Sequence, residues 1–495
     1  MTGELERLEE LGAELGRRAR AAGSFLIARA QNRSVRRLVV RRGTVEDVAI
    51  GSTSGQGLQV TGAGGRTALA SRDDFRPEPT LALLQRAIEA ARRAESLPGT
   101  GCPPPSLAPL RRRLLAADEA AFGRIRLDEV GRRLVEIESE ILGRVPGVQL
   151  SVSFRAEIDA WRIFRSDGTD VLFSIPRCAL TAQATSDDDG ARHAVSTALF
   201  GPEPDLPWSE RAATFVRRGE WAARLARELP TAPPHAAGSF PLVIDYALAK
   251  GLAHEAFGHA AEADGYRSSV LARDGRLRRG DVVGARHVSV IDEPLAGDHA
   301  WQPISANGVA RERAVIVDHG RLEDGLSDLW SAGPGGVRLT GAARAETFRH
   351  APQPRMTNIR IEVDSPLPAP GAFEDYGPAE VRQLLSDAGV LRRHPRVAFL
   401  SGYSGGQVNP TTGDFVFNCR AIYELGRDRI VLHKPAIFSG SMFGALQSVR
   451  EAFGPLQLDA IGYCGKWGQS VPSSGGSHYF LVLDPHPAVR LGGAA

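Results

Sequence analysis

Cysteine is scarce in this sequence. The 495 residues include only four cysteines, Cys102, Cys178, Cys419 and Cys464, which lie far apart along the chain. Four cysteines are too few for a disulfide framework in a protein of this size. We therefore expect any cysteine with a functional role to act as a thiolate.

Long apolar runs are also missing. A membrane-spanning helix needs about 18 or more consecutive apolar residues, and no stretch of the chain offers them. The N-terminal segment lacks the continuous apolar core of a signal peptide, and its mixture of acids and arginines predicts an amphipathic helix instead. These absences predict a cytoplasmic protein that does not use a membrane as its partner.

An excess of charge of either sign is absent as well. The chain has 60 Lys and Arg residues against 58 Asp and Glu residues, which leaves a formal net charge of +2. Such a balance gives no reason to expect nucleic acid or an anionic surface as the main partner. The 42% hydrophobic and 24% charged composition is typical of a globular protein long enough for two domains.

In the first half of the chain, helical and strand-like segments alternate without a regular βαβ period. Short β-like runs separated by glycine-rich turns predict a meander over residues 35–72, and Asp167-Gly168 predicts a hairpin. Apolar spacing predicts a helix starting at Thr80 as its N-cap and a second helix over 128–143. A Pro/Gly-rich segment at 97–109 predicts a linker or long loop. We expect residues 1–235 to form an α/β N-terminal domain.

In the second half, strand signals dominate. Hairpins are predicted around His319-Gly320 and around Gly426, with helical interruptions near 378–388 and 441–453. The predicted fold class is therefore α+β with two domains. The second domain, residues 236–495, is expected to be mainly β and to carry a histidine-containing helix directly after the strand at 241–245.

That helix contains the sequence "AHEAFGHAAEAD" at 253–264. In the familiar zinc motif H-E-x-x-H the two histidines are four residues apart, on one face of a helix. Here His254 and His259 are five apart, so a regular helix would point them about 140° away from each other. They can share an ion only if the helix contains a wide i→i+5 turn, and we expect Gly258 to absorb the unusual backbone angles.

A metal-free interpretation of the same residues remains open. Both histidines could be satisfied residues of the core or of a helix end, and Glu255 could be an ion-pair partner. In the metal interpretation, Glu262 and Asp264 would orient the imidazoles. A catalytic zinc also needs a third protein ligand, for which Cys464 is the candidate and His478 the rival, although a cysteine at such a place is often only a small buried apolar residue.

Four segments carry a resemblance to a known family. They are "HEAFGHAAEAD" (254–264), "PRMTNIRIEVD" (354–364), "SGGQVNPTTGDFVFNCRAIY" (404–423) and "CGKWGQSVPSSGG" (464–476). In this order, and over most of the chain, they resemble the TldD/PmbA family of metallopeptidases. The histidine-containing helix makes the chain similar to the TldD type of subunit, since the TldE or PmbA type lacks it.

The resemblance implies a site and an activity. Zinc would be held by His254, His259 and Cys464, with Glu255 as the catalytic carboxylate. In such a site zinc polarises the scissile carbonyl and lowers the pKa of its water from about 15.7 to about 7, while the glutamate takes the proton of that water. The implied substrates are short or unfolded peptides, such as leader peptides or labile proteins. The implied partner is a TldE/PmbA-like subunit, or a second copy of this chain in a homodimer.

Other roles remain open for this sequence. Tyr403, His478 and Arg355 are candidates for stabilising the oxyanion of the tetrahedral intermediate, and each has a simple structural alternative. The segment "GGQV" at 405–408 could instead offer strand backbone to an extended peptide. The chain could also be a metal-dependent hydrolase of small amides or esters, or a non-catalytic modulator or binding subunit.

Overall fold

The computed structural model describes residues 2–97, 101–188 and 191–494. Its helices are short and lie between long strands. Their bounds are α1 Thr2–Glu6, α2 Glu9–Ala21, α3 Pro77–Ala94, α4 Glu119–Arg124, α5 Leu127–Arg144, α6 Arg211–Glu228, α7 Tyr246–Gly251, α8 Ala332–Gly335, α9 Pro378–Asp387, α10 Val390–Arg393 and α11 Met442–Ser448.

The first part of the chain forms a sheet of seven strands among the described residues. These are β1 Phe25–Arg41, β2 Thr44–Thr61, β3 Thr67–Arg72, β4 Arg111–Leu114, β5 Gln149–Arg165, β6 Asp170–Asp188 and β7 Ala191–Gly201. Their order is β3-β2-β1-β5-β6-β4, with β7 also paired to β6, and only the β4–β6 pair is parallel. The predicted meander is confirmed, and so is the hairpin at Asp167-Gly168, where Gly168 has a φ of 99°.

The predicted helices of this part are present, with one wrong detail. Helix α5 buries Val130, Leu134, Ile137 and Ile141 on one face, as the spacing predicts. Helix α3 begins at Pro77, so Thr80 is not its N-cap; its hydroxyl instead donates to the carbonyl of Arg76. Proline at the first helical position supplies the start signal that the prediction overlooked. The predicted linker at 97–109 lies partly outside the described residues, and residues 101–110 form no helix or strand.

The second part of the chain builds a larger sheet, in which thirteen of the described strands take part. The strands of this part are β8 Leu242–Asp245, β9 Ala272–Arg273, β10 Arg276–Leu277, β11 Val288–Glu293, β12 Ala314–Asp318, β13 Arg321–Leu322, β14 Ala343–Arg344, β15 Gln353–Pro354, β16 Asn358–Val363, β17 Arg396–Asn409, β18 Asp414–Gly426, β19 Ile430–His433, β20 Ala436–Ser441, β21 Val449–Gln457, β22 Gly462–Lys466, β23 Gln469–Leu483 and β24 Val489–Ala494. The main order is β13-β12-β11-β16-β23-β8-β17-β18-β20-β24, with β19 on β18 and with β21 and β22 on β23.

Most of the predicted elements of this second part are confirmed. The hairpins lie at His319-Gly320, between β12 and β13, and next to Gly426, between β18 and β19. The helix expected over 441–453 is only partly right, because α11 ends at Ser448 and β21 begins at Val449. Strand β21 pairs with β23, so tertiary pairing overrides the apolar helical spacing in this segment.

The two large sheets lie on either side of the predicted boundary at 235/236, and apolar packing crosses that boundary. One cluster of buried side chains includes Phe154 and Phe215 from the first part together with Phe399 and Phe480 from the second. The α+β fold class with large sheets is confirmed. The division into two domains at residue 235 stays a prediction. No helix among the described residues is long and apolar enough to cross a membrane.

A buried ionic cluster also joins the two parts. Glu157 on β5 accepts hydrogen bonds from Arg33, Arg155 and Arg177 at 2.7–3.2 Å. Arg177 also donates to the carbonyl of His299 in the second part of the chain, at 2.8 Å. Burial opposes ionisation of Glu157, but the three guanidinium groups outweigh burial and lower the pKa of Glu157 to about 2.

Candidate metal centre

The histidine-containing segment follows directly from the buried strand β8. The side chain of Asp245, at the end of β8, accepts a hydrogen bond from the backbone N–H of Leu248 at 2.9 Å and so starts α7. The next residues, Leu252–Gly258, form a π-helical turn. In it the backbone N–H of His259 donates to the carbonyl of His254 at 3.1 Å. The predicted i→i+5 turn is confirmed, and the two imidazole centroids lie 5.2 Å apart.

The role predicted for Gly258 is wrong. Its φ is not in the left-handed region, so the π turn does not depend on glycine's backbone freedom. A Cβ at this position would instead lie 2.2 Å from Sδ of Met356 and 3.1 Å from Cδ1 of Ile359. Glycine is needed because the turn packs directly against the segment that leads into β16.

Cys464, near the C-terminal end of the second part of the chain, lies beside this turn in the fold. It lies on β22, and its Sγ is 3.4 Å from Nε2 of His259. One donor atom from each of His254, His259 and Cys464 lies within 4.8 Å of the others. The structure therefore brings together the three residues that the sequence singled out as ligands.

Neighbouring charges set the protonation of these groups. Burial would raise the pKa of the Cys464 thiol, but the hydrogen bond and charge of His259 lower it below its usual value. Burial would likewise lower the pKa of His259, which Glu262 and Cys464 raise well above its usual range. Burial lowers the pKa of His254 well below its usual range, and Lys250 lowers it further. These shifts favour ionisation of the Cys464 thiol and the neutral form of His254, and both of these forms bind metals.

A buried carboxylate orients His259. Oε2 of Glu262 lies 3.2 Å from Nδ1 of His259 and accepts a hydrogen bond from Nζ of Lys466 at 2.9 Å. Lys466 also donates to both carboxylate oxygens of Asp264, at 2.8 and 2.9 Å. Of the two carboxylates expected to orient imidazoles, Glu262 therefore does so, whereas Asp264 contacts Lys466.

Glu255 lies at the centre of the site and is only partly exposed. Its Oε2 is 3.8 Å from Nε2 of His259, and its Oε1 accepts a hydrogen bond from the hydroxyl of Tyr403 at 3.0 Å. Burial and the charge of Glu255 raise the pKa of Tyr403, so the phenol keeps its proton. One carboxylate oxygen is thus held by the tyrosine, and the other lies near His259.

These groups line an open cavity of about 650 Å³. Residues 405–408 form one wall, next to a register shift between Tyr403 and Gly406 on β17. Beyond Leu400, β17 has a strand partner on only one side among the described residues. At the rim, Trp467 is 80% exposed and has a positive φ of 48°. The cavity therefore combines the candidate metal ligands with unpaired strand backbone.

The other predicted candidates are buried in structural roles. Both ring nitrogens of His478 contact backbone groups: Nδ1 lies 2.8 Å from the carbonyl of Gly454, and Nε2 accepts from the N–H of Val363 at 3.2 Å. His478 is therefore neither a metal ligand nor an oxyanion donor. The buried guanidinium of Arg355 donates to the carbonyl of Cys464, so it positions the cysteine strand.

Two lysines at the site were not predicted. Nζ of Lys250 donates to Oγ of Ser473 at 3.3 Å and lies 5.9 Å above the ring of Tyr403, and burial lowers its pKa. Its position four residues before His254 was the available signal, because residues four apart share a helix face. For Lys466 the sequence offered no signal beyond its place two residues after Cys464.

The chemistry of the three donors fits a zinc ion. Histidine nitrogen and cysteine sulfur both bind zinc, and a site with three protein ligands leaves the fourth position for water. Nitrogen and sulfur atoms bound to one tetrahedral zinc lie roughly 3.5 Å apart, and the observed His259–Cys464 distance is 3.4 Å. Nδ1 of His254 is buried and has no hydrogen-bond partner within the described ranges.

Comparison with known proteins gives independent information. A family model described as the PmbA/TldA metallopeptidase C-terminal domain matches residues 237–473. A metalloprotease of Methanocaldococcus jannaschii is 30% identical over 334 residues, which is 66% of this chain and 67% of that protein. A metalloprotease TldD homolog of Haemophilus influenzae is 28% identical over 334 residues, 66% of this chain and 64% of that protein. The matches thus span about two thirds of the length of these relatives.

Among solved structures, TldE from Thermococcus kodakarensis has a similar fold. The TM-score is 0.73 at 13% sequence identity, and the match covers 98% of this chain and 100% of that protein. At this identity the similarity concerns the fold alone.

Proposed function

Because this chain belongs to the TldD/PmbA metallopeptidase family, we propose that it is a zinc-dependent peptidase of the TldD type. One observation carries the proposal. The donor atoms of His254, His259 and Cys464 converge beside the carboxylate of Glu255, in a cavity open to a substrate. Relatives named metalloproteases, one of them a zinc metalloprotease, support the same activity.

The proposed ligands are the two histidines and the cysteine. A zinc ion held there would supply a Lewis acid that polarises a carbonyl oxygen and acidifies water. Glu262 fixes His259 from its far side, and Arg355 fixes the backbone of Cys464, so two of the three ligands are held in place by neighbouring residues. In the proposal, these contacts limit the reorganisation that metal binding requires.

Glu255 is the proposed general base and acid. It is adjacent in sequence to the ligand His254, and the tyrosine hydrogen bond to Oε1 leaves Oε2 directed at the site. In the proposal, Oε2 accepts a proton from the attacking water and later donates it to the departing amine. Tyr403 keeps the carboxylate in one orientation through both transfers.

The proposed substrates are short or unfolded peptides, such as leader peptides or labile proteins. The unpaired side of β17 at residues 405–408 could pair with an extended peptide as an additional strand. Strand addition depends mainly on the peptide backbone and therefore suits loose sequence preference. A folded domain has few such free strands, whereas an unfolded chain offers many.

We also propose that the chain pairs with a TldE/PmbA-like subunit or with a second copy of itself, and that it acts in the cytoplasm. The family resemblance supports the partner. The free state of all four cysteines suits a reducing compartment.

The proposal is tested by measuring zinc content and peptidase activity together, with and without a TldE-like subunit. Glu255→Gln should keep its zinc and lose about 10²- to 10⁴-fold of the rate, the usual contribution of a general base. Cys464→Ser should lose one zinc per chain relative to wild type and lose activity as well. Full activity in Glu255→Gln, or equal zinc content in Cys464→Ser and wild type, would overturn the proposal.

A substrate screen separates the remaining functions. Zinc-dependent cleavage of small amides or esters without cleavage of unfolded peptides would identify a small-molecule hydrolase. Zinc binding without any hydrolysis, in the presence of every partner tested, would identify a binding subunit.

A further inference from the structure

A second group of potential metal ligands lies outside the residues that line the catalytic cavity. It consists of His235, Glu424 and His433, whose ligand atoms all lie within 4.8 Å of one another. His235 belongs to the segment that connects the first part of the chain to β8, whereas Glu424 lies on β18 and His433 ends β19. All three residues are partly buried.

Backbone carbonyls orient both imidazoles. Nδ1 of His235 lies 2.8 Å from the carbonyl of Ala236, and Nδ1 of His433 lies 3.2 Å from the carbonyl of Pro234. A carbonyl only accepts hydrogen bonds, so each Nδ1 must carry the proton. In the neutral form of either ring, the lone pair is then on Nε2. Histidines that bind metals are usually held in this way, by a carbonyl or carboxylate behind the ring.

The free side of His433 is the second observation that points to a ligand. Its Nε2 is buried and has no hydrogen-bond partner among the residues that the structure describes. A buried ring nitrogen without a partner loses its interaction with water and gains nothing in return. The rings of His235 and His433 pack edge to face, with centroids 4.8 Å apart, so the two imidazoles are direct neighbours.

The charges at this place also suit a cation. The carboxylate of Glu424 is held from one side, because its Oε1 accepts a hydrogen bond from the exposed Arg429 at 2.8 Å. Its Oε2 makes a longer ion pair with Arg396, at 3.9 Å, and this distance is too long for a hydrogen bond.

We propose that His235, Glu424 and His433 form a second site for a divalent metal ion. Two imidazole nitrogens and one carboxylate oxygen form a typical zinc set, with water in the fourth position. The ion would fasten the connecting segment to the β18–β19 hairpin, where the N–H of Lys434 already donates to the carbonyl of Pro233 at 2.9 Å. The role is structural and independent of the proposed peptidase activity.

The test uses zinc as the probe and the full chain throughout. Wild type, Cys464→Ser, His433→Gln and Glu424→Gln are dialysed against zinc, and the metal per folded chain is measured. Cys464→Ser should keep one zinc, which the double variants Cys464→Ser/His433→Gln and Cys464→Ser/Glu424→Gln should lose. His350→Gln is the control, because that histidine belongs to neither group of ligands.

Thermal unfolding provides a second measurement. Zinc should raise the midpoint temperature of Cys464→Ser and leave that of Cys464→Ser/His433→Gln unchanged, since a ligand stabilises only the state that binds it. Glu424→Gln serves as the second variant if His433→Gln does not fold. A Cys464→Ser protein that binds no zinc, or His433→Gln and Glu424→Gln variants with the zinc content of wild type, would overturn the proposal. These results would leave the proposed peptidase function untouched, because that function is judged by Glu255→Gln and Cys464→Ser.

Discussion

Replacing Glu262 by glutamine tests whether this residue prepares His259 for metal binding. The carboxylate is buried, contacts Nδ1 of His259 at 3.2 Å and forms an ion pair with Lys466 at 2.9 Å. Glutamine keeps the shape and an acceptor oxygen but removes the charge that makes Nε2 of His259 more basic. The charge of Lys466 would also be less balanced next to the bound cation.

The expected effect is a 10- to 100-fold loss of metal affinity, the usual result of removing a carboxylate that orients a metal-binding histidine. This loss corresponds to about 1.4–2.7 kcal/mol of binding free energy. The affinity can be measured by Co²⁺ titration, read at the thiolate-to-metal charge-transfer absorption. Only a site that contains Cys464 gives this absorption, so a metal bound by histidine and carboxylate alone would not contribute.

Asp264→Asn is the matched control. It removes the same charge and the same kind of contact with Lys466, but Asp264 does not contact His259. It should change the affinity by less than about threefold, as expected for a charge that acts only from a distance. Equal losses in Glu262→Gln and Asp264→Asn would refute the argument from orientation and leave only a general effect of charge.

Three other substitutions have defined outcomes. Tyr403→Phe should lower kcat by about 10-fold or more with unchanged zinc content, because a hydrogen bond to a charged group, here Glu255, contributes about 1.5–3 kcal/mol. Gly258→Ala should lower the free energy of unfolding by about 1–3 kcal/mol through overpacking against Met356. The pKa of Glu157 is about 2 in the folded state, below its ordinary value of 4.5. The ionised carboxylate therefore stabilises the folded state fully above about pH 4.5, and this stabilisation is lost as the pH falls toward 2. The difference in unfolding free energy between wild type and Glu157→Gln should therefore shrink from about pH 6 to about pH 3.

Two of these substitutions have a control variant, and the third is judged by its pH dependence. Tyr423→Phe alters a tyrosine outside the cavity lining and should leave kcat unchanged; a normal kcat in Tyr403→Phe would contradict the role of its hydroxyl. Gly465→Ala has no atom within 4 Å of the added Cβ and should be neutral, so equal stabilities of Gly258→Ala and wild type would refute the packing argument. For Glu157, urea unfolding of wild type and Glu157→Gln at both pH values measures the difference in unfolding free energy. A difference that grows on acidification would contradict the predicted direction.

The wide turn was predictable because it follows from a local constraint. Two side chains five residues apart can meet only if a helix contains one extra residue in a turn, and the sequence alone fixes that spacing. The reason for Gly258 was not predictable. It depends on Met356, which belongs to a segment about a hundred residues away and approaches the turn only in the folded sheet.

The contacts that prepare the site were also beyond prediction from the sequence. Tyr403 meets Glu255 across 148 positions of the chain, and Lys466 meets Glu262 across 204. Spacing rules cover neighbours on one helix or strand, so they identified the histidines and the adjacent carboxylates. They could not assign Asp264 to Lys466 or Arg355 to the Cys464 carbonyl, and they could not exclude His478.

The position of β23 has a consequence for the synthesis of the protein. This strand lies between β16 and β8, and it also supports β22, which carries Cys464. A chain still growing on the ribosome holds His254, Glu255 and His259 long before residues 469–483 have been made. Until then the large sheet consists of two separate halves, and the sulfur has no strand to hold it. The three candidate metal ligands are thus brought together only after residues 469–483 have been made and have paired with their neighbouring strands.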